Sequence, residues 1–179
     1  MTSTASLDRT IVLIGLMGVG KTTVGRRLAQ ALDCPFKDAD EEIEKAAGRS
    51  VSEIFKDFGE AGFREGERKV IARLLEEPPM VLALGGGAFV DPDTRALVKA
   101  RACSVWLKAD VSTLVQRVGR RDTRPLLRDR DPKIVLSELL EKRTPAYAEA
   151  DLHVDAAGGS HQSTLARILD ALHARSTLS

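Results

Sequence analysis

The chain has 179 residues, 43% of them apolar and 30% charged, and its 27 Lys and Arg against 26 Asp and Glu leave a net charge of +1. That length allows a substantial core, and the balance argues against bulk electrostatic attraction to nucleic acid or an anionic membrane. Five Phe and one Tyr besides Trp106 are too few for a base-stacking platform, and no run approaches the ~18 apolar residues of a membrane span.

The polar start over residues 1–9 has no signal core, so a cytoplasmic setting is the default expectation. Next comes an apolar run at 10–14, read as a strand, which leads into Gly15-Leu16-Met17-Gly18-Val19-Gly20-Lys21-Thr22. This is a complete phosphate-binding loop. Its glycines let successive backbone N–H groups turn toward one anion, Lys21 adds a positive charge for the β- and γ-phosphates, and Thr22 offers a hydroxyl to Mg²⁺. A helix over 22–32 follows, with Val24, Leu28 and Leu32 on one stripe and its positive dipole end toward the phosphates.

A second short strand at 35–37 ends near Asp38 and Asp40. Residues two apart in an extended segment point to one side, and strand C-termini line the ligand crevice of a parallel sheet. Asp38 is therefore expected at the metal and Asp40 at a substrate hydroxyl; the competing role for Asp40 is to cap a helix starting at Glu41. That helix, 41–47, stops at Gly48. Ser50 and Glu53 form a capping box for a helix over 51–58 ended by Gly59, and a longer one spans 62–76 before Pro78-Pro79. Residues 40–76 thus read as a helical insert able to wall a substrate cleft. A third strand at 80–84 runs into Gly85-Gly86-Gly87, which lets a ligand approach backbone amides unless it is only a flexible turn.

A fourth strand at 104–107 precedes a helix over 111–118 capped by Asp110. An arginine-dense segment, about 119–131, follows. Its place suggests a lid whose Arg124, stiffened by Pro125, reaches the transferred phosphoryl group; a solvated charged loop or a nucleic-acid patch are the alternatives. Asp131-Pro132 opens a helix to about 149. A last strand at 152–154 and a helix over 163–174 close the chain. Arg64 and Arg143 sit alone on predicted helices, suited to a carboxylate or phosphate, although most helical arginines are surface residues. Cys34 and Cys103 read as reduced core residues, and His153, His161 and His173 share no metal-ligand spacing. Alternating strands and helices without repeat or linker predict a single α/β domain over 1–179.

The full set resembles the shikimate kinases: Gly15 to Ala29, Asp38-Ala39-Asp40, Phe63-Arg64, Leu84-Gly85-Gly86-Gly87-Ala88, Arg124-Pro125-Leu126-Leu127 and Arg143-Thr144-Pro145-Ala146-Tyr147, in family order from about Thr10 to Leu172. The resemblance implies a P-loop fold of the nucleoside-monophosphate-kinase type, three layers around a five-stranded parallel sheet in order 2-3-1-4-5. It implies transfer of the ATP γ-phosphoryl group to the 3-hydroxyl of shikimate, on the route to chorismate and aromatic amino acids. Gly18, Val19, Gly20, Lys21, Thr22 and Thr23 match the nucleotide loop. Thr22 and Asp38 match the magnesium environment. Asp40, Arg64, Gly86 and Arg143 match the shikimate contacts, with Gly85 and Gly87 in the same loop. Arg117 falls where the family often places an arginine against adenine, and Arg124 matches the lid arginine. Gln162 is taken as a nucleotide contact in a segment, Ser160-His161-Gln162, that lacks the Asn-Pro pair of some relatives. Lys21, Asp40 and Arg124 are the implied catalytic residues, and a monomer with small-molecule partners only is the default.

Overall fold

The structure, a computed structural model, describes residues 7–118, 130–156 and 160–175. Its elements in chain order are β1 (Ile11–Ile14), α1 (Lys21–Leu32), β2 (Phe36–Asp38), α2 (Ala39–Ala47), α3 (Val51–Leu74), β3 (Val81–Ala83), a 3₁₀ turn (Ala88–Val90), α4 (Pro92–Arg101), β4 (Cys103–Lys108), α5 (Val111–Val118), α6 (Pro132–Tyr147), β5 (Leu152–Asp155) and α7 (His161–Ala174). The strands form one sheet in the order β2-β3-β1-β4-β5, and every pairing is parallel.

Parallel strands covered on both faces read as unbroken apolar runs, and β1 does so. Ile11, Val12, Leu13 and Ile14 are all buried, as are Val81, Leu82 and Ala83 of β3 beside it. Each fully buried Leu, Ile or Val contributes about 2 kcal/mol in transfer terms. The centre of the sheet is thus covered on both faces, and the phosphate loop leaves from its end. After β1 the chain first builds β2 and β3 on one side, then β4 and β5 on the other. The C-terminal end of β1 is thus the topological switch point, where ligands of open α/β sheets bind.

Each strand lies within one residue of its predicted place, and the helices show why their ends differ. Asp38, not Asp40, is the N-cap of α2: its Oδ1 accepts from the Asp40 N–H at 2.9 Å and the Glu41 N–H at 3.3 Å. The helix begins at Ala39, and Asp40 lies in its first turn with the capping role already taken. In α3 the predicted break is present, but only as a kink. Gly59 has φ 72 and ψ 179, and the helix resumes directly after it. Ser50 caps α3 through the Glu53 N–H at 3.1 Å, as the capping box requires. Asp131 caps α6 through the Lys133 N–H, and α6 ends at Tyr147 with Pro145 in its last turn. Ser160 caps α7 through the Ser163 N–H, so that helix starts at His161.

Helix α4 has no counterpart among the sequence expectations. It buries only Thr94 and Val98, too thin a stripe to stand out, although Asp91-Pro92 repeats the start signal seen at Asp131-Pro132. Cys103 is buried and Cys34 half-buried, and neither forms a disulfide among the described residues. No described helix is long and apolar enough to cross a membrane.

Candidate active site

The phosphate loop leaves β1 and ends at Gly20, the N-cap of α1, with φ 98 and ψ 25. A side chain is strained in that conformation. Here it would also collide, because a Cβ on Gly20 would lie 2.7 Å from Cε1 of His161. The Lys21 ammonium donates to the Gly15 carbonyl, across the mouth of the loop. The Thr22 hydroxyl donates to Asp38 Oδ2 at 3.1 Å. The Asp38 carboxylate is thus divided: one oxygen holds the start of α2 and the other meets the loop.

Arg117, in the last turn of α5, donates from Nη1 to the Val19 carbonyl at 2.9 Å and from Nη2 to the Ala156 carbonyl at 3.2 Å. It fastens the phosphate loop to the end of β5. His161 approaches the same loop from α7, and its pKa is lowered by burial and by the positive charges of Arg117 and Arg27. Gln162, the residue singled out in the sequence, is exposed; its neighbour His161 is the one against Gly20. The histidine had offered no signal, because its importance comes from where α7 begins. Arg124 and residues 119–129 of the segment expected to form a lid lie outside the described residues.

On the other side of the loop, the glycines after β3 bring the remaining candidates together. A Cβ on Gly85 would lie 2.9 Å from Asp40 Oδ1, and one on Gly86 would lie 2.6 Å from Arg143 Nη1. A Cβ on Gly87 would overlap the Arg64 guanidinium. Three consecutive residues therefore face, in turn, an acid from α2, an arginine from α6 and an arginine from α3. Only at a site without side chains can these groups come so close to one backbone segment. The Tyr147 hydroxyl donates to the Gly86 carbonyl and pins the loop from below; burial raises its pKa. A cavity of about 620 Å³ opens here, lined by Arg64, Arg68, Gly87, Asp91, Lys142 and Arg143 among others.

Arg143 is buried, 9% exposed, and its Nη1 has no hydrogen-bond partner among the described residues. A buried guanidinium N–H without an acceptor is costly, and an anion in the cavity would supply the acceptor. Arg64 is anchored differently. Its Nη1 meets Oε1 of Glu67 at 2.7 Å, and Glu67 is only 1% exposed. Sequence reading missed Glu67, although an acid three residues along a helix from an arginine is a recognised pairing distance.

Burial pushes the Glu67 carboxyl up to about 7, against the opposing pull of Arg64. Because the folded value lies above the ordinary 4.5, this group's stability contribution is complete below about pH 4.5 and is lost as pH rises through about 7. In urea melts across that range, the stability of the unaltered protein relative to Glu67→Gln is expected to fall by on the order of 3 kcal/mol. A pH-independent difference would contradict the assignment.

Known proteins resemble this chain along nearly its whole length. Residues 17–173 match the family model described as shikimate kinase. The chain belongs to the shikimate kinase family. A shikimate kinase of Caulobacter vibrioides is 62% identical over 164 residues, covering 92% of this chain and 82% of that protein. One of Paramagnetospirillum magneticum is 55% identical over 166 residues, covering 93% and 85%. Among solved structures, the shikimate kinase of Acinetobacter baumannii in complex with shikimate superposes with a TM-score of 0.88 at 38% identity, covering 93% of this chain and 94% of that one. A gluconokinase of Sinorhizobium meliloti shares the fold, with a TM-score of 0.59 and 21% identity. The difference in similarity separates family from fold.

Proposed function

We propose that the chain phosphorylates shikimate from ATP, transferring the γ-phosphoryl group to the 3-hydroxyl. The observation that carries this reading is the alignment of Gly85, Gly86 and Gly87 against Asp40, Arg143 and Arg64, one strand away from the phosphate loop. Shikimate has one carboxylate and several ring hydroxyls. Arg64 and Arg143 clamp the carboxylate with forked guanidinium groups, which match its planar geometry. Asp40 accepts from a ring hydroxyl and orients the attacking oxygen toward the phosphate loop; where bond breaking leads, it need not take the proton early.

Gly18 to Thr23 hold the triphosphate, with Lys21 countering the charge on the β- and γ-phosphates. Arg117 and His161 border the same loop on the side away from the acceptor, which suits the rest of the nucleotide. Arg124 is assigned by its motif to the transferred group. The Thr22 hydroxyl and Asp38 Oδ2 offer an oxygen-only donor set beside the loop, which fits Mg²⁺. When bound, that ion neutralises charge on the phosphate oxygens. A cytoplasmic monomer is part of the same proposal.

A coupled ADP-release assay tests the acceptor. Shikimate is expected to exceed gluconate by roughly 100-fold or more in kcat/KM, since a site built to bond one set of polar groups rejects another. Preferential turnover of gluconate would overturn the assignment.

A further inference from the structure

We infer that the Arg68–Asp91 ion pair is a strut that sets the width of the acceptor cavity, making Arg68 and Asp91 positioning residues for Arg64. The inference rests on the reading of that cavity as the shikimate site. Arg68 lies four residues beyond Arg64 on α3, so the two guanidinium groups stand one turn apart on the same helix face. Gly87 and Asp91 are likewise four residues apart, at the two ends of the 3₁₀ turn that follows the glycine loop. Two rungs therefore join the same pair of elements. One is Arg64 against Gly87. The other is Arg68 Nε to Asp91 Oδ2 at 2.6 Å. Only the second is an ion pair. Arg64's own partner, Glu67, belongs to the same helix, so it orients the guanidinium without fixing its distance from Gly87.

Asp91 is firmly placed. Its Oδ2 also accepts from the Thr94 hydroxyl at 3.0 Å. The 3₁₀ turn is braced on its other side by Arg95, which donates to the Phe89 and Val90 carbonyls, each at 3.1 Å. Arg95 in turn pairs with Glu149 at 2.9 Å, just past the end of α6, the helix that carries Arg143. The segment from Gly87 to Asp91 is thus tied toward α6 by Arg95 and toward α3 by Arg68. Both Arg68 and Asp91 line the cavity, so a change in their separation moves its wall. Loss of the strut lets the Arg64 turn of α3 drift from the glycine loop, and the two carboxylate-binding arginines lose their common spacing.

The test is a double-mutant cycle on the full chain with Arg68→Gln, Asp91→Asn and the pair together. Each single change is expected to raise the KM for shikimate roughly three- to tenfold, leaving kcat and the KM for ATP within about twofold. The double variant is expected to be no worse than either single one. Arg68→Lys, which keeps the charge, and the exchanged pair Arg68→Asp/Asp91→Arg are expected to recover most of the loss. Arg68 is partly exposed, so its variants will fold, and thermal melts check this. An unchanged shikimate KM in Arg68→Gln, or effects that multiply in the double variant, would overturn the strut. Those outcomes are distinct from failure of the acceptor reading, which would appear as absence of shikimate turnover in the unaltered protein.

Discussion

Lys21→Ala is expected to lower kcat by roughly 10²- to 10³-fold at saturating ATP and shikimate, the scale on which a single preorganised charge-stabilising donor acts. Phosphoryl transfer gives the protein little covalent chemistry, so most of the barrier reduction comes from positioning and from charges placed against the phosphate oxygens. Lys21 occupies the first position of α1, where the helix dipole and the loop amides already favour an anion. Its ammonium is held across the loop by the Gly15 carbonyl, so it is poised before the nucleotide arrives. Alanine is a good helix former, and the α1 core contacts through Val24, Leu28 and Leu32 are untouched. The loss should therefore appear in turnover rather than in folding. A steady-state assay with near-native kcat would remove Lys21 from the phosphate site.

Arg143→Ala is expected to weaken shikimate binding by roughly 30-fold or more, because breaking a buried charged pair with a ligand commonly costs about 2–5 kcal/mol. The same change should destabilise the ligand-free protein by less than it weakens binding, the loss coming from packing and from the contact with the Tyr147 hydroxyl. The Arg143 Nη1 is buried without a partner among the described residues, so truncation removes an unsatisfied donor along with its packing. This difference between affinity and stability distinguishes a binding arginine from a structural one. Titration calorimetry measures the first quantity and thermal denaturation the second. An unchanged Kd would exclude Arg143 from the carboxylate clamp.

The sequence made the fold legible wherever the signal was local and strong. The buried runs of β1 and β3, the phosphate loop, the Ser50 and Asp131 caps and the Gly59 break depend on neighbours a few residues apart, and each is where it was expected. Helix α4 was not legible, because its two buried residues leave almost no periodicity. The site divides along the same line. Lys21, Thr22 and the three glycines are contiguous motifs, whereas Arg64 and Arg143 look like surface residues until the strand order brings α3 and α6 to the same loop. Their expected roles came from family resemblance, and their convergence on Gly86 and Gly87 is a product of tertiary packing. Glu67 and His161 went unread for the same reason: one matters because it is buried beneath Arg64, the other because α7 starts opposite Gly20.

The split carboxylate of Asp38 has a consequence for how the two substrates share the enzyme. One oxygen secures the perch of Asp40 through backbone hydrogen bonds, while the other faces Thr22. On the proposed reading, Asp38 would hold a nucleotide-borne divalent cation through this outer oxygen alone, and the backbone hydrogen bonds that seat Asp40 would stay intact. Nucleotide exchange and acceptor placement would then draw on separate atoms of one side chain.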